Sequence, residues 1–97
     1  MKQISEIKES VNKRAKEFGA ERIYLFGSYA RGDANECSDI DLRIDKGKIK
    51  GGFALAGLLL ALEADLGTTV DLVTTGSLSR DFLESIKGEE QLIYEAK

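Results

Sequence analysis

Two aspartates, Asp39 and Asp41, stand one residue apart in the stretch SDIDLRID, and a third, Asp71, interrupts the apolar run TVDLVTT. Side chains two apart on a strand leave the same face, so Asp39 and Asp41 crowd two negative charges together. Such a pair repels when empty and becomes favourable when a hard divalent cation bridges it. The chain has no histidine and one cysteine, Cys37. Every candidate ligand is therefore an oxygen, which selects Mg²⁺ or Mn²⁺ over zinc. Taken alone, Asp-x-Asp is more often a solvated acidic strand end. Asp71 shifts that balance, because an acid buried in an apolar strand needs a partner. If its strand lies beside the first pair, three carboxylates can hold two metals about 4 Å apart, the arrangement for in-line phosphoryl transfer.

Upstream, GSYARG (27–32) supplies what a metal site for phosphates needs. Gly27 ends an apolar strand and Ser28 can cap a short helical turn, whose backbone N–H groups bind anions. Glycine lets a phosphate approach the main chain, and the Ser28 hydroxyl can donate to it. Gly32 ends the turn. Arg31 can neutralise a phosphate or cap the turn, two readings of equal weight. Arg43 lies on the carboxylate face, free to contact a phosphate or to pair with Asp41 or Asp45. Asp45 reads as a strand-end charge, and Lys46, Lys48 and Lys50 as a solvated turn.

These residues need elements to hold them. Ile4, Ile7, Val11, Ala15 and Phe18 recur three or four apart, which predicts a helix over 4–18 stopped by Gly19. RIYLFG (22–27) reads as a buried strand, and 39–45 as an alternating one with Ile40, Leu42 and Ile44 facing inward. A glycine-rich basic loop spans 46–52, then an apolar helix 53–66, a strand 69–75, a helix capped by Ser79 and running to about Lys87, and a short edge strand 91–95. The connection between the first two strands is too short for a full parallel crossover, so the sheet is expected to be mixed. The fold class is α/β (α+β): a small mixed sheet flanked by helices in a single domain, 1–97.

Composition narrows the function. Without histidine, Ser-His-Asp chemistry, His general bases and most catalytic zinc sites are excluded. A net charge of −3 disfavours direct nucleic-acid binding. One cysteine allows no internal disulfide, and no stretch has signal-peptide character or membrane-spanning length, so a cytoplasmic location is expected. The helix FALAGLLLALEADL carries Leu55, Leu58, Leu59, Leu62 and Leu66 on one stripe and Phe53, Ala56, Leu60 and Ala64 on the opposite side. A helix apolar nearly all round is covered on more than one side. Phe53 and Leu60 are thus candidate partner contacts.

GSYARG, SDIDL (38–42) and VDLV (70–73) together resemble the nucleotidyltransferase superfamily of DNA polymerase β, and the short chain resembles its minimal nucleotidyltransferases. The resemblance covers about residues 22 to 75 and implies the polymerase β-like fold. It implies that Gly27 and Ser28 cradle a triphosphate; Arg31 is a further nucleotide-binding candidate on the residues alone. Asp39 and Asp41 would bind the metals, and Asp71 would complete the site and help activate the acceptor hydroxyl. It further implies Mg²⁺ and ATP, and a small helical HEPN-domain toxin as partner. This chain would move AMP onto a hydroxyl of that toxin, expected to be a tyrosine, and so act as antitoxin. Two alternatives stand beside this: neutralisation by contact alone, and transfer to a small molecule or an RNA end.

Overall fold

The computed structural model describes residues 2–97. Helix α1 (Ile4–Phe18) leads into strand β1 (Arg22–Phe26), a single helical turn α2 (Gly27–Arg31), strand β2 (Ile40–Asp45), helix α3 (Gly51–Leu66), strand β3 (Val70–Thr74), helix α4 (Arg80–Ile86) and strand β4 (Gln91–Glu95). The strands form one mixed sheet in the order β3-β2-β1-β4. β1 pairs antiparallel with β2 and β4, while β2 and β3 run parallel, joined through α3. The elements and the mixed sheet match the sequence reading.

Strand alternation sorts the sheet into two faces. Ile23, Leu25, Ile40, Leu42 and Ile44 point into a core shared with Ile7, Val11 and Ala15 of α1 and Leu58, Leu62 and Leu66 of α3. Each of the valine, leucine and isoleucine side chains contributes about 1.5–3 kcal/mol on burial. A polar clasp joins the two helices. Asp65 accepts from both arms of Arg14 at 2.8 Å and from the Ser10 hydroxyl at 2.9 Å. The Arg14 hydrogen bond holds the Asp65 carboxyl down at about 2.

Helix α3 begins at Gly51, two residues ahead of the expected start. Gly51 enters it at φ +78°, a conformation open to glycine. Leu55 and Leu59 pack against the core beside the buried leucines, while Phe53 is 99% and Leu60 65% exposed. The helix therefore buries one stripe only, and its other apolar side faces solvent.

The second face of the sheet carries the charged side chains. Arg43 is buried there, 3.9 Å above the Tyr24 ring. Its guanidinium donates to both oxygens of Glu90, at 3.1 and 2.9 Å, and to the Thr75 hydroxyl at 2.9 Å. Asp45 stands 3.8 Å away and accepts from Thr75 and Arg22. Of the sequence options for Arg43, pairing with Asp45 is realised and pairing with Asp41 is not. Glu90 is the principal partner. Arg43→Met is expected to lower stability by about 2–4 kcal/mol in urea denaturation, because Glu90 is left as an uncompensated, largely buried charge. Lysine, which lacks the planar fork, should restore only part of the loss. A midpoint unchanged in the methionine variant would show that the pair is merely cosmetic.

Candidate active site

Gly27 is the first residue of α2, directly after Phe26 of β1. Phe26 pairs with Asp41 across the antiparallel ladder, and Asp41 pairs with Asp71 across the parallel one. Phe26, Asp41 and Asp71 thus lie along one line across three neighbouring strands, with Gly27 directly after the first of them. Cross-strand partners share a face, so the two carboxylates project to the same side. Asp39 precedes β2 and is exposed, rather than being its first residue.

The main chain at Gly27 meets Asp41 closely. Gly27 sits at φ +75°, and a Cβ added there would run into the Asp41 carboxylate. The glycine is needed both for its backbone conformation and for its missing side chain. Ser28 lies inside the turn rather than at its cap: the capping position is Phe26, with no side-chain bond. Gly32 closes the turn at φ +85°, as expected. Arg31 pairs with Asp33 at 3.2 Å and with Glu89 at 3.2 Å and does not cap the turn.

Electrostatics single out Asp41. Partial burial first, then the charges of Asp71 and Asp39, push its carboxyl up to about 6. Asp71 itself is exposed, because β3 is an edge strand; the expectation of a buried acid is corrected here. Among the described residues the carboxylates do not converge on one point as a finished cluster. The set nevertheless fits a hard divalent ion. It is all oxygen, its central member is destabilised by two like charges, and the backbone beside it carries no side chain at Gly27.

Sequence reasoning missed two contributors. Glu89 accepts the Gly27 N–H at 2.6 Å. Phe82 of α4 packs edge-on against Phe26, with ring centroids 5.8 Å apart. Neither carries a spacing signal, since both reach the site from the far end of the chain.

Comparison with known proteins identifies the family. The family model described as "Polymerase beta, Nucleotidyltransferase" matches residues 5–97. A Methanocaldococcus jannaschii protein, MJ1379, provisionally named a protein adenylyltransferase, is 39% identical over 97% of this chain and 99% of its own. The protein adenylyltransferase MntA of Thermococcus cleftensis is 37% identical over 92% and 91%. A chain in the crystal structure of a toxin–antitoxin with AMP-PNP superposes with a TM-score of 0.78 at 25% identity, over 93% of this chain and 74% of that one. With a glycine turn against Asp41, which stands between Asp39 and Asp71, and relatives along nearly its whole length, this chain belongs to the polymerase β nucleotidyltransferase family, as one of its minimal members.

Proposed function

We propose that the chain is a Mg²⁺-dependent protein adenylyltransferase, moving AMP from ATP onto a tyrosine hydroxyl of a small helical HEPN toxin and acting as its antitoxin. The observation that carries this reading is the juxtaposition of the bare Gly27 backbone with Asp41, itself in register with Asp71. Similarity to named protein adenylyltransferases and to a toxin–antitoxin with AMP-PNP supports the substrate class. The cytoplasm, where ATP and Mg²⁺ are abundant, suits this chemistry. Among the described residues no helix is long and apolar enough to cross a membrane.

In this reaction the acceptor oxygen attacks the α-phosphorus of ATP. The bond from that phosphorus to the bridging oxygen breaks, and pyrophosphate leaves with the electron pair. Asp71, open to solvent on the edge strand β3, is the proposed acceptor of the hydroxyl proton. The Gly27 N–H, the Ser28 hydroxyl and Arg31 hold triphosphate oxygens. Asp39 and Asp41, with Asp71, would hold Mg²⁺, which when bound neutralises charge developing on the phosphates. Histidine has no part in these steps. The exposed Phe53 and Leu60 on α3 are the proposed seat of the toxin.

The test is to incubate the protein with the helical protein encoded beside it, ATP and Mg²⁺, and to read the partner's intact mass. AMP adducts on a tyrosine are expected. Full neutralisation of the toxin without any adduct would replace the enzymatic reading with neutralisation by contact. In the same system Leu60→Asp is expected to weaken co-elution with the partner by about tenfold or more without unfolding the domain, since it places a charge in an apolar contact. Unchanged co-elution would remove that face from the interface.

A further inference from the structure

Resting on the nucleotide site proposed above, we infer that Glu89 is an internal competitor for the triphosphate. It occupies the donors a phosphate needs, and ATP must displace it to bind.

The contacts are specific. The Gly27 amide donates to Glu89 Oε2 at 2.6 Å, and Arg31 Nη1 donates to Oε1 at 3.3 Å and Oε2 at 3.2 Å. One carboxylate thereby engages two of the three groups assigned to the triphosphate. A carboxylate and a phosphate oxygen present similar charge and similar acceptor geometry, so they compete for the same donors. Both cannot sit on the single N–H of Gly27.

The carboxylate is held in place by its surroundings. Glu89 follows α4, and the amides of Glu89 and Glu90 both donate to the Ile86 carbonyl, at 3.0 and 2.9 Å. Its neighbour Glu90 is gripped by buried Arg43 through both oxygens. On the far side Gln91 pairs with Leu25 in the β4–β1 ladder, and its side-chain amide donates from Nε2 to the Ala30 carbonyl of the α2 turn, at 3.1 Å. The backbone on either side of Glu89 is therefore pinned, and only its side chain has to rotate for the donors to become free. The displaced carboxylate is no ligand for a triphosphate, because it would add a fourth negative charge beside Asp39, Asp41 and Asp71. The apparent affinity for ATP is lowered by the fraction of molecules in which Glu89 holds the donors.

The experiment measures ATP binding by calorimetry, with Mg²⁺ present, for the wild type, Glu89→Gln and Glu89→Ala. Both variants are expected to bind about tenfold more tightly, because removing the charge releases Arg31 and weakens the hold on Gly27. Unchanged affinity, or weaker binding, overturns the inference; weaker binding would make Glu89 a constructive part of the site. If no protein binds ATP at all, the nucleotide site itself falls, an outcome distinct from wild-type binding that ignores residue 89. A second measurement needs no variant. In the wild type, NMR signals of the Gly27 amide and the Glu89 carboxyl carbon should both move on titration with ATP. A Glu89 signal that stays fixed at saturation overturns the inference as well.

Discussion

Replacing Asp41 by asparagine is expected to abolish transfer and, at the same time, to make the metal-free protein more stable. The loss of activity should be at least about a thousandfold, the scale seen when preorganised transition-state electrostatics are removed. The gain in stability follows from the Asp41 carboxyl lying at about 6 rather than the ordinary 3.8. A group whose folded value is raised favours the folded state when protonated. That advantage is complete below about 4 and disappears as pH rises through about 6. At neutral pH the charged carboxylate therefore costs the fold something. The full shift would correspond to about 3 kcal/mol, and solvent reaching this half-buried side chain reduces it to about 1–2 kcal/mol. In a domain of this size that is a rise in melting temperature of about 5 °C or more. Melting curves of both proteins from pH 4 to pH 8, in chelator, read the effect: the curves should meet at the acid end, diverge between about pH 4 and pH 6, and stay a constant distance apart above that. A variant no more stable than the wild type at pH 8 would mean that the three charges do not burden the fold.

The second large effect belongs to Gly27. Alanine there must adopt a left-handed conformation and place its Cβ against the Asp41 carboxylate. Gly32, also left-handed at φ +85°, has nothing within 4 Å of the position a Cβ would take. The two substitutions separate backbone strain from steric conflict. Gly32→Ala is expected to cost about 1 kcal/mol, the backbone term alone. Gly27→Ala is expected to cost about 2–4 kcal/mol and to cut transfer by about a hundredfold or more, because Asp41 must move to make room. Urea midpoints and initial rates for the pair measure both quantities. Equal losses at the two positions would show that the close approach of Gly27 to Asp41 has no special role.

The parts of this molecule that could be read from sequence are those governed by local periodicity. Ile40, Leu42 and Ile44 alternate with Asp41, Arg43 and Asp45, and a period of two assigns each to its face without knowledge of the rest of the chain. Asp71 needed one further assumption, that its strand lies beside β2, and the parallel register supplies it. Arg43 and Glu89 were beyond this kind of reasoning. Arg43 finds Glu90 47 positions away, and Gly27 meets Glu89 62 positions away. In a chain with 17 acidic residues, nothing about Glu89 or Glu90 marks them before the fold brings them round. The exposure of Asp71 was missed for a related reason. An apolar strand reads as interior, and only the strand order reveals that β3 lies at the edge.

That edge position gives Asp71 a second burden. Beyond the Val70 N–H, which donates to Glu63 at 2.9 Å, the outer side of β3 is an edge open to a passing strand. Its sequence, VDLVT, would be a continuous β-forming aliphatic run were it not for the aspartate. A charge at the second of five positions discourages a neighbouring molecule from docking there in register. The residue proposed to accept a proton in the reaction thus also acts as a gatekeeper against aggregation. An apolar substitution would harm the protein in two unrelated ways, one catalytic and one colloidal.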